Sequence, residues 1–263
     1  MAEHADLHTT GAYARRVPHL RGLASPVLGR FARERLALLG RLVAPGARVI
    51  DAGAGQGRFV SRAREAGYDA WGFDPHPRGD AVAEASFDDA PVQPGSADAV
   101  TLWHVLEHVP DSGAALDRAR DWLRPQGGLI VAVPNLASWQ AAIGGERWFH
   151  LDVPRHRLHF TPEGLARLLA GHGFEVIAVE HRLLEHNPYG LWQTVLNRLG
   201  RRPSWLFSLL KGNARWNWGQ ALLVLALLPL FPVAVAVERV AAARRRGGTV
   251  VVLARRRDPV APL

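Results

Sequence analysis

Hydrophobic and polar residues follow one another along this chain in blocks whose period switches between that of a helix and that of a strand. Residues 26–43 place valine, leucine and phenylalanine at helical spacing among arginines, which predicts an amphipathic helix. Short apolar runs then alternate with segments of helical composition. The predicted strands are residues 48–51, 69–73, a short strand ending at 85–87, then 97–102, 129–133, 174–179 and 248–255.

This alternation predicts an α/β fold with a doubly wound, seven-stranded, Rossmann-like and mostly parallel sheet. About seventy residues between the sixth and seventh strands are predicted to form a helical, apolar insertion. We therefore expect an N-terminal helical segment, a sheet-forming core, the insertion, and a last strand with a basic tail. Their predicted bounds are residues 1–46, 47–181, 182–247 and 248–263.

The stretch that organises the core is the glycine-rich segment of residues 48–59, in which an apolar run ends at Asp51 and a tight turn leads into a helix. Gly53, Gly55 and Gly57 occupy alternate positions. The dinucleotide fingerprint G-x-G-x-x-G is not met, because the third glycine comes one place early. Glycine suits a turn that takes positive φ or lets a ligand approach the backbone closely, although a plain structural turn has the same composition.

Two further residues are expected at the same edge of the sheet. Asp74 follows the second strand, 17 residues after Gly57, and a carboxylate there can accept both hydroxyls of a ribose. A solvent-facing turn acid is the alternative. Phe87, at the end of the third predicted strand, could lie against an adenine.

Composition narrows the possible chemistry. The absence of cysteine excludes disulfides, thiolate nucleophiles and cysteine zinc sites. Residues 1–10 are polar and lack the apolar core of a signal peptide, so we expect cytoplasmic residence. Tyr13, Arg15 and Arg16 could fold over a ligand, although a mobile terminus is the commoner case.

Five separated motifs resemble the successive motifs of class I S-adenosylmethionine-dependent methyltransferases. They are residues 51–57, Asp74, residues 102–108, residues 123–129 and residues 133–135. Residues 148–162 are similar to the subgroup that includes the ubiquinone-pathway O-methyltransferases. The resemblance covers about residues 40–180.

The resemblance implies S-adenosyl-L-methionine as cofactor. The cofactor-binding residues that it implies are Asp51, Gly53, Gly55 and Gly57 for the methionine part, Asp74 for the ribose, Phe87 for the adenine and Trp103 near the sulfonium.

Methyl transfer from a sulfonium is an in-line displacement that needs alignment, together with a base when the acceptor is a hydroxyl. Histidine suits this base because its ordinary pKa is about 6.5. We favour His156, with His108 as the second catalytic prediction. The full set of candidates is His104, His108, His150, His156 and His159.

The same region offers other interpretations. His104, Glu107 and His108 match H-x-x-E-H, the inverted zinc-protease motif, which would make the protein a metal-dependent hydrolase. That motif belongs within a helix, whereas here it follows a buried strand. Glu107 and His108 could instead be a structural hydrogen-bonding pair. Together with a nearby acid they could also hold a divalent cation, although magnesium prefers oxygen ligands. We predict no metal site.

The insertion concentrates the positive charge. The whole chain has a formal net charge of +8, and residues 181–263 hold thirteen basic residues against three acidic ones. The apolar run of residues 221–237 has 17 residues and contains Pro229 and Pro232. It is shorter than the ~20 residues of a spanning helix.

Tryptophans and arginines flank this run, as is typical of an element at a membrane interface. A buried helix in a lid or a dimer interface is the alternative. Nucleic acid is not expected as a partner, because the apolar run has no use on a duplex or a single strand.

These observations favour a methyltransferase that acts on the hydroxyl of an apolar or lipid-linked small-molecule acceptor. We expect it to be cytoplasmic and peripheral on the inner face of the membrane. The non-enzymatic alternative is a methyltransferase-like membrane scaffold.

Overall fold

The computed structural model describes residues 21–77, 79–210 and 214–257. The predicted role of Tyr13, Arg15 and Arg16 therefore lies outside the described residues. The strands are β1 Arg48–Ala52, β2 Asp69–Asp74, β3 Ala83–Glu84, β4 Ala97–Trp103, β5 Leu123–Pro134, β6 Phe174–Glu180 and β7 Thr249–Arg256. The helices of the core are α1 Arg21–Leu39, α2 Arg58–Glu65, α3 Ser112–Trp122, α4 Trp139–Gly144 and α5 Pro162–Gly171.

The seven strands form one sheet in the order β3-β2-β1-β4-β5-β7-β6. Strands β1 to β5 pair in parallel, and β7 runs antiparallel to both β5 and β6. The order reverses between β1 and β4, which meet along Val49 to Asp51. This is a doubly wound sheet, and its ligand site is expected at the carboxyl ends of the two strands beside that reversal.

Helices cover both faces of the sheet. One face packs against α3 and α5 through Leu116, Trp122 and Leu165. The other packs against α1 and α2 through Leu39 and Phe59. The central strand β5 is buried from Gly127 to its end and has the unbroken apolar sequence of a strand covered on both faces.

Local signals set the helix ends where the sequence predicts them. Asp111 caps α3 by accepting a hydrogen bond from the Ala114 N–H, and Thr161 caps α5 through the Gly164 N–H. Pro162 occupies the first turn of α5, where its missing N–H has no consequence.

The predicted position of the third strand is wrong. Strand β3 contains only Ala83 and Glu84, and Phe87 lies in the turn that follows it. The carboxylate of Asp89 accepts hydrogen bonds from both the N–H and the hydroxyl of Ser86. These bonds turn the chain before a longer strand can form.

The described residues between β6 and β7 form four further α-helices: α6 Asn187–Leu199, α7 Trp205–Leu210, α8 Trp218–Leu227 and α9 Phe231–Ala243. Helix α6 packs against α4 on one side and against α8 and α9 on another. A small cluster around Trp192 and Phe231 fills the space between these helices. The insertion is therefore a helical layer laid against one end of the core.

Candidate active site

The glycine-rich turn connects β1 to α2 at the carboxyl edge of the sheet. Gly53, Gly55 and Gly57 have φ values of +73°, +55° and +68°, a region that favours glycine. A Cβ on Gly53 would lie 2.5 Å from the Val105 side chain, and a Cβ on Gly57 would lie 2.8 Å from Val82. Glycine is required here for both conformation and space, which the sequence alone indicated only in part.

Asp74 ends β2 directly beside this turn. Its carboxylate accepts hydrogen bonds from the Gly55 N–H at 3.0 Å and from the His76 N–H at 2.8 Å. The structure thus brings the predicted ribose-binding acid and the glycine turn together. Each carboxylate oxygen keeps a second lone pair for a ligand hydroxyl.

Asp51 is buried in β1 behind the turn, with 4% of its surface exposed. It accepts a hydrogen bond of 2.7 Å from the Thr101 hydroxyl on β4. Burial raises the pKa of Asp51 to about 7, and the neighbouring Asp74 adds to the rise. The Thr101 bond and the Arg35 guanidinium oppose it without cancelling it. The carboxyl therefore changes charge near neutral pH.

Trp103 ends β4 on the face covered by α1 and α2. Its ring contacts Phe59 edge to face at 5.5 Å, and the Arg35 guanidinium lies 4.9 Å from the ring centre. The indole N–H is buried and has no hydrogen-bond partner among the described residues. Such a donor suits a ligand atom.

Phe87 packs against the core, whereas Asp74 lies beside the glycine turn. Its ring stacks on Trp122 at 5.7 Å and meets Phe73 edge to face at 5.6 Å. One face is thus occupied by the core, while the residue is only half-buried. Its role beside an adenine stays a prediction.

The segment His104–His108 forms a turn directly after β4 and is not part of a helix, in agreement with the expectation that it follows a buried strand. His104 itself has a φ of +58°, which is unusual for a residue with a side chain. Its Nδ1 atom lies 3.2 Å from an oxygen of Glu107, which is 1% exposed. Glu107 therefore pairs with His104 and not with His108. The turn brings the His104 and Glu107 side chains to the same side.

The pKa of Glu107 reflects two opposed effects. Burial acts to raise it, but the hydrogen bond to His104 and the nearby charges of His104, His108 and His156 outweigh burial and lower it. Glu107 is therefore ionised at neutral pH.

His108 and His156 lie close together beside this turn, with ring centres 4.6 Å apart. The Nδ1 atom of each ring contacts a backbone carbonyl oxygen. The distance is 3.1 Å from His108 to the Arg155 oxygen and 2.6 Å from His156 to the His150 oxygen. Burial lowers the pKa of His156, an effect that the Glu107 charge opposes. Single ligating atoms of Glu107, His108 and His156 come within 4.8 Å of one another. A cation could bridge that spacing, but the hydrogen-bonded turn explains it equally well, so we treat the three as a polar cluster.

Three residues join the site that sequence reasoning did not single out. His186 lies with its ring 4.1 Å from that of His104, and Arg35 forms an ion pair of 2.6 Å with Glu185. The Trp148 indole N–H is buried without a partner among the described residues. Their positions far apart in the chain carry no local signal. Two other candidate bases predicted from the sequence lie elsewhere. The ring centre of His150 is 6.3 Å from that of His104, and Nε2 of His159 is 2.8 Å from the Leu151 carbonyl oxygen.

Fold and site together define the class. A glycine turn without a phosphate fingerprint, an acid on the next strand and a seven-stranded sheet with a reversed β7 characterise the class I S-adenosylmethionine-dependent methyltransferase fold. Residues 23–179 match the family model described as a methyltransferase domain. The chain belongs to this family.

Known proteins resemble the chain over different lengths. It is 32% identical over 151 residues to the ubiquinone biosynthesis O-methyltransferase of Azorhizobium caulinodans, a match that covers 50% of this chain and 60% of that protein.

Two solved structures share the fold. One is a SAM-dependent methyltransferase from Archaeoglobus fulgidus, with a TM-score of 0.51, 17% identity and coverage of 86% of this chain and 92% of that one. The other is phosphoethanolamine N-methyltransferase 2 of Haemonchus contortus in complex with S-adenosyl-L-methionine. Its TM-score is 0.52 with 16% identity, and the match covers 86% of this chain and 53% of that one.

Proposed function

We propose that this protein is an S-adenosylmethionine-dependent methyltransferase that methylates a hydroxyl of an apolar or lipid-linked small molecule. The observation that carries the proposal is the Asp74 carboxylate, which is held by the Gly55 N–H beside three glycines of positive φ. S-adenosylmethionine would supply an activated methyl group. Membership of the methyltransferase family supports the same cofactor.

The residues present fit that cofactor. The glycine turn leaves its backbone open because no Cβ intervenes, and Asp74 offers oxygen lone pairs to the ribose hydroxyls. Asp51 can balance the positive charge of the methionine part, and Trp103 has an unused indole N–H at the end of β4. Histidines and aromatic rings surround the next turn, where an acceptor would be oriented.

The hydroxyl acceptor is inferred from the relatives, whose names specify ubiquinone biosynthesis O-methyltransferases. A base near the acceptor is then needed, and the histidines around Glu107 provide several. The roles of His156 and His108 in catalysis stay predictions. A hydrolase built on His104, Glu107 and His108 is disfavoured for two reasons. Nδ1 of His104 is hydrogen-bonded to the Glu107 carboxylate, and the motif is not helical.

Calorimetric titration with S-adenosylmethionine tests the cofactor. We expect the wild-type chain to bind it and Asp74→Ala to weaken binding at least tenfold, because the ribose hydroxyls lose their acceptor. Asp69→Ala is the matched control, since Asp69 is an exposed acid at the opposite end of the same strand. Equal affinities for Asp74→Ala and Asp69→Ala would refute the ribose assignment. No binding by the wild type would refute the proposed function, and the scaffold alternative would take its place.

We also propose that the insertion docks the protein on a membrane surface. Residues Trp218–Ala243 form a helical segment of 26 residues, and its most apolar stretch of 18 residues has a mean hydropathy of 2.4 with 11% of that stretch buried in the protein. Its length and composition would suffice to cross a membrane. The segment is longer than the 17-residue run considered in the sequence, because the helix continues through Pro229 and Pro232.

The segment presents its apolar residues outwards. Small buried residues, Ala221, Ala234 and Ala241, face the protein. The large exposed apolar residues are Trp218 (73%), Leu222 (63%), Leu225 (63%), Leu228 (53%), Leu230 (46%), Val233 (55%) and Val240 (44%). A continuous apolar strip of this kind favours contact with lipid or with another protein.

Position and charge favour lipid in the plane of the interface. The segment lies against α6, which itself lies against α4 of the core, so the apolar strip runs along a flank of the molecule. Both ends return to the same core. Exposed arginines stand at each end of the segment, Arg202 and Arg215 near one end and Arg245 and Arg246 at the other. They complement the anionic lipids of a cytoplasmic membrane face.

Vesicle sedimentation tests the docking proposal. The triple variant Leu222→Ser, Leu225→Ser and Val233→Ser should lose most of its binding to vesicles of phosphatidylglycerol and phosphatidylcholine. Ile177→Ser with Val179→Ser is the matched control, because both residues are exposed apolar side chains on β6, outside the insertion.

The lipid composition and the state of association separate the alternatives. We expect weaker binding to vesicles of phosphatidylcholine alone, because the arginines then lack anionic partners. Unchanged vesicle binding by the triple variant would refute membrane docking. A wild-type dimer that the triple variant dissociates, with no vesicle binding, would identify the strip as an interface between copies.

A further inference from the structure

The turn after β4 holds a histidine whose two ring nitrogens have different surroundings. Nδ1 of His104 faces the Glu107 carboxylate at 3.2 Å. Nε2 of His104 is buried and has no hydrogen-bond partner among the described residues. An ionised Glu107 has no proton to donate and can act only as an acceptor. It therefore selects the His104 tautomer that carries its proton on Nδ1. The lone pair of Nε2 is then free.

His104 also lies beside the proposed cofactor turn. It directly follows Trp103, and the side chain of the next residue, Val105, occupies the space over Gly53 where a Cβ would come within 2.5 Å. Its φ of +58° is a strained conformation for histidine, and such strain concentrates at functional sites. The backbone therefore holds this ring at the sheet edge at a cost in free energy.

The other histidines are less suited to remove a proton from an acceptor. His108, His156 and His159 each direct a ring nitrogen at a backbone carbonyl, whereas Nδ1 of His104 faces a carboxylate oxygen at 3.2 Å. Burial lowers the pKa of His150 and of His186 well below the ordinary value, so both are neutral and poor bases.

We infer that His104 is the catalytic base of the proposed methyl transfer and that Glu107 is its positioning residue. This inference rests on the proposed function and names the group that it leaves open. The acceptor O–H bond breaks and its proton passes to Nε2 of His104. The oxygen forms its new bond to the methyl carbon as the carbon–sulfur bond breaks, with the electron pair left on sulfur. The proton on His104 then leaves to solvent.

The groups that face His104 come from four parts of the fold. Glu107 belongs to the same turn, His150 precedes α5, His186 precedes α6, and Arg35 belongs to α1. Glu107 is the only carboxylate among these four. It can stabilise the imidazolium that forms when His104 takes the proton, while Arg35 is paired with Glu185.

Nitrogen NMR of histidine-labelled protein, saturated with S-adenosylhomocysteine, tests the orientation without any acceptor. At pH 8 we expect His104 to show the Nδ1–H tautomer with an unprotonated Nε2, and Glu107→Gln to reduce the population of that tautomer. His172→Gln is the matched control, because His172 pairs with Asp117 at 2.9 Å on the far side of α3. A wild-type His104 protonated on Nε2 would overturn the inference.

Methyl transfer to 4-octylphenol in anionic vesicles, followed with a labelled methyl donor, tests the chemistry. His104→Gln should lower kcat by about 100-fold or more, the usual contribution of a general base. The affinity for S-adenosylhomocysteine should change less than threefold. Glu107→Gln should lower kcat less than His104→Gln does, and Glu107→Asp should partly restore it.

The outcomes separate this inference from the proposed function. Full activity of His104→Gln together with inactive His156→Gln would assign the base to His156 and refute the inference. Activity that EDTA abolishes in the wild type, with His104→Gln unimpaired after metal is restored, would assign proton removal to a cation-bound group. A wild type that binds no S-adenosylhomocysteine would refute the proposed function itself.

Discussion

Helix α5 and the α8–α9 segment both cover other parts of the protein, yet they distribute their apolar residues in opposite ways. Helix α5 turns Leu165 and Leu169 inwards onto the sheet and exposes Glu163 and Arg167. Among its apolar residues, the α8–α9 segment fully buries only alanines, packs others such as Phe231 partly against α6, and exposes leucines, valines and a tryptophan. The first pattern stabilises a fold in water, whereas the second leaves the larger apolar side chains for an external partner.

This difference is what the proposed docking of the insertion on lipid requires. The sheet and its helices bury most of their apolar residues, with Ile177 and Val179 of the edge strand β6 among the exceptions, and polar residues at one edge form the proposed site. The insertion instead attaches to the core through buried polar groups: Gln140 of α4 donates hydrogen bonds to the Asn187 carbonyl at 2.7 Å and to the Glu238 carboxylate at 2.8 Å. These bonds can fix the direction in which the apolar strip faces.

The largest expected effect compares one leucine from each region. Leu165→Ala should lower the free energy of unfolding by about 2–5 kcal/mol, because it leaves a cavity under α5. Leu225→Ala should change it by less than about 0.5 kcal/mol, because that side chain is 63% exposed. Denaturant unfolding in lipid-free buffer measures both. A comparable loss for Leu225→Ala would show that the outer strip packs against protein, and the comparison would then fail.

A smaller effect should separate the two regions by pH. The pKa of Asp51 is raised to about 7, so its carboxyl is mostly protonated at pH 6 and mostly ionised at pH 8. The ionised form attracts the cationic methionine part, so cofactor affinity should rise with pH. The expected gain between pH 6 and pH 8 is about tenfold, or about 1.4 kcal/mol. Calorimetry at the two pH values measures it, and Asp51→Asn should remove the dependence.

The insertion offers the internal control for this pH dependence. Vesicle binding rests on leucines and arginines, which do not titrate between pH 6 and pH 8. It should therefore stay constant over that range. A vesicle affinity that follows cofactor affinity would mean that the two regions are coupled. A pH dependence of cofactor affinity that persists in Asp51→Asn would show that Asp51 is not its cause.

Much of the fold could be predicted because the signals are local. Glycine at alternate positions, the caps Asp111 and Thr161 and the apolar run of β5 each act within a few residues. The position of Asp74 beside the glycine turn could also be predicted, because the parallel neighbouring strands β1 and β2 bring their carboxyl ends together. The sequence pattern places strand β3 too late in the chain, because the hydrogen bonds that Ser86 donates to the Asp89 carboxylate, which no strand pattern records, end the strand early.

The arrangement of the histidines could not be predicted in the same way. The sequence pattern favours His156 and makes His104 only one candidate among five. The pairing of His104 with Glu107 depends on a left-handed residue within the turn, and its contact with His186 joins segments 82 residues apart. No periodicity records such contacts.

The sequence by itself determined the order of strands and helices, the glycine turn and the presence of a basic, apolar insertion, because period, turn chemistry and charge act locally. Only the tertiary structure decided which histidine has a free nitrogen beside the glycine turn and which face of the α8–α9 segment remains uncovered. Both depend on packing between elements distant in the chain. The sequence leaves the apolar run open between a membrane-interface element and a buried helix, and the fold leaves one side of it exposed because α6 covers only the other side.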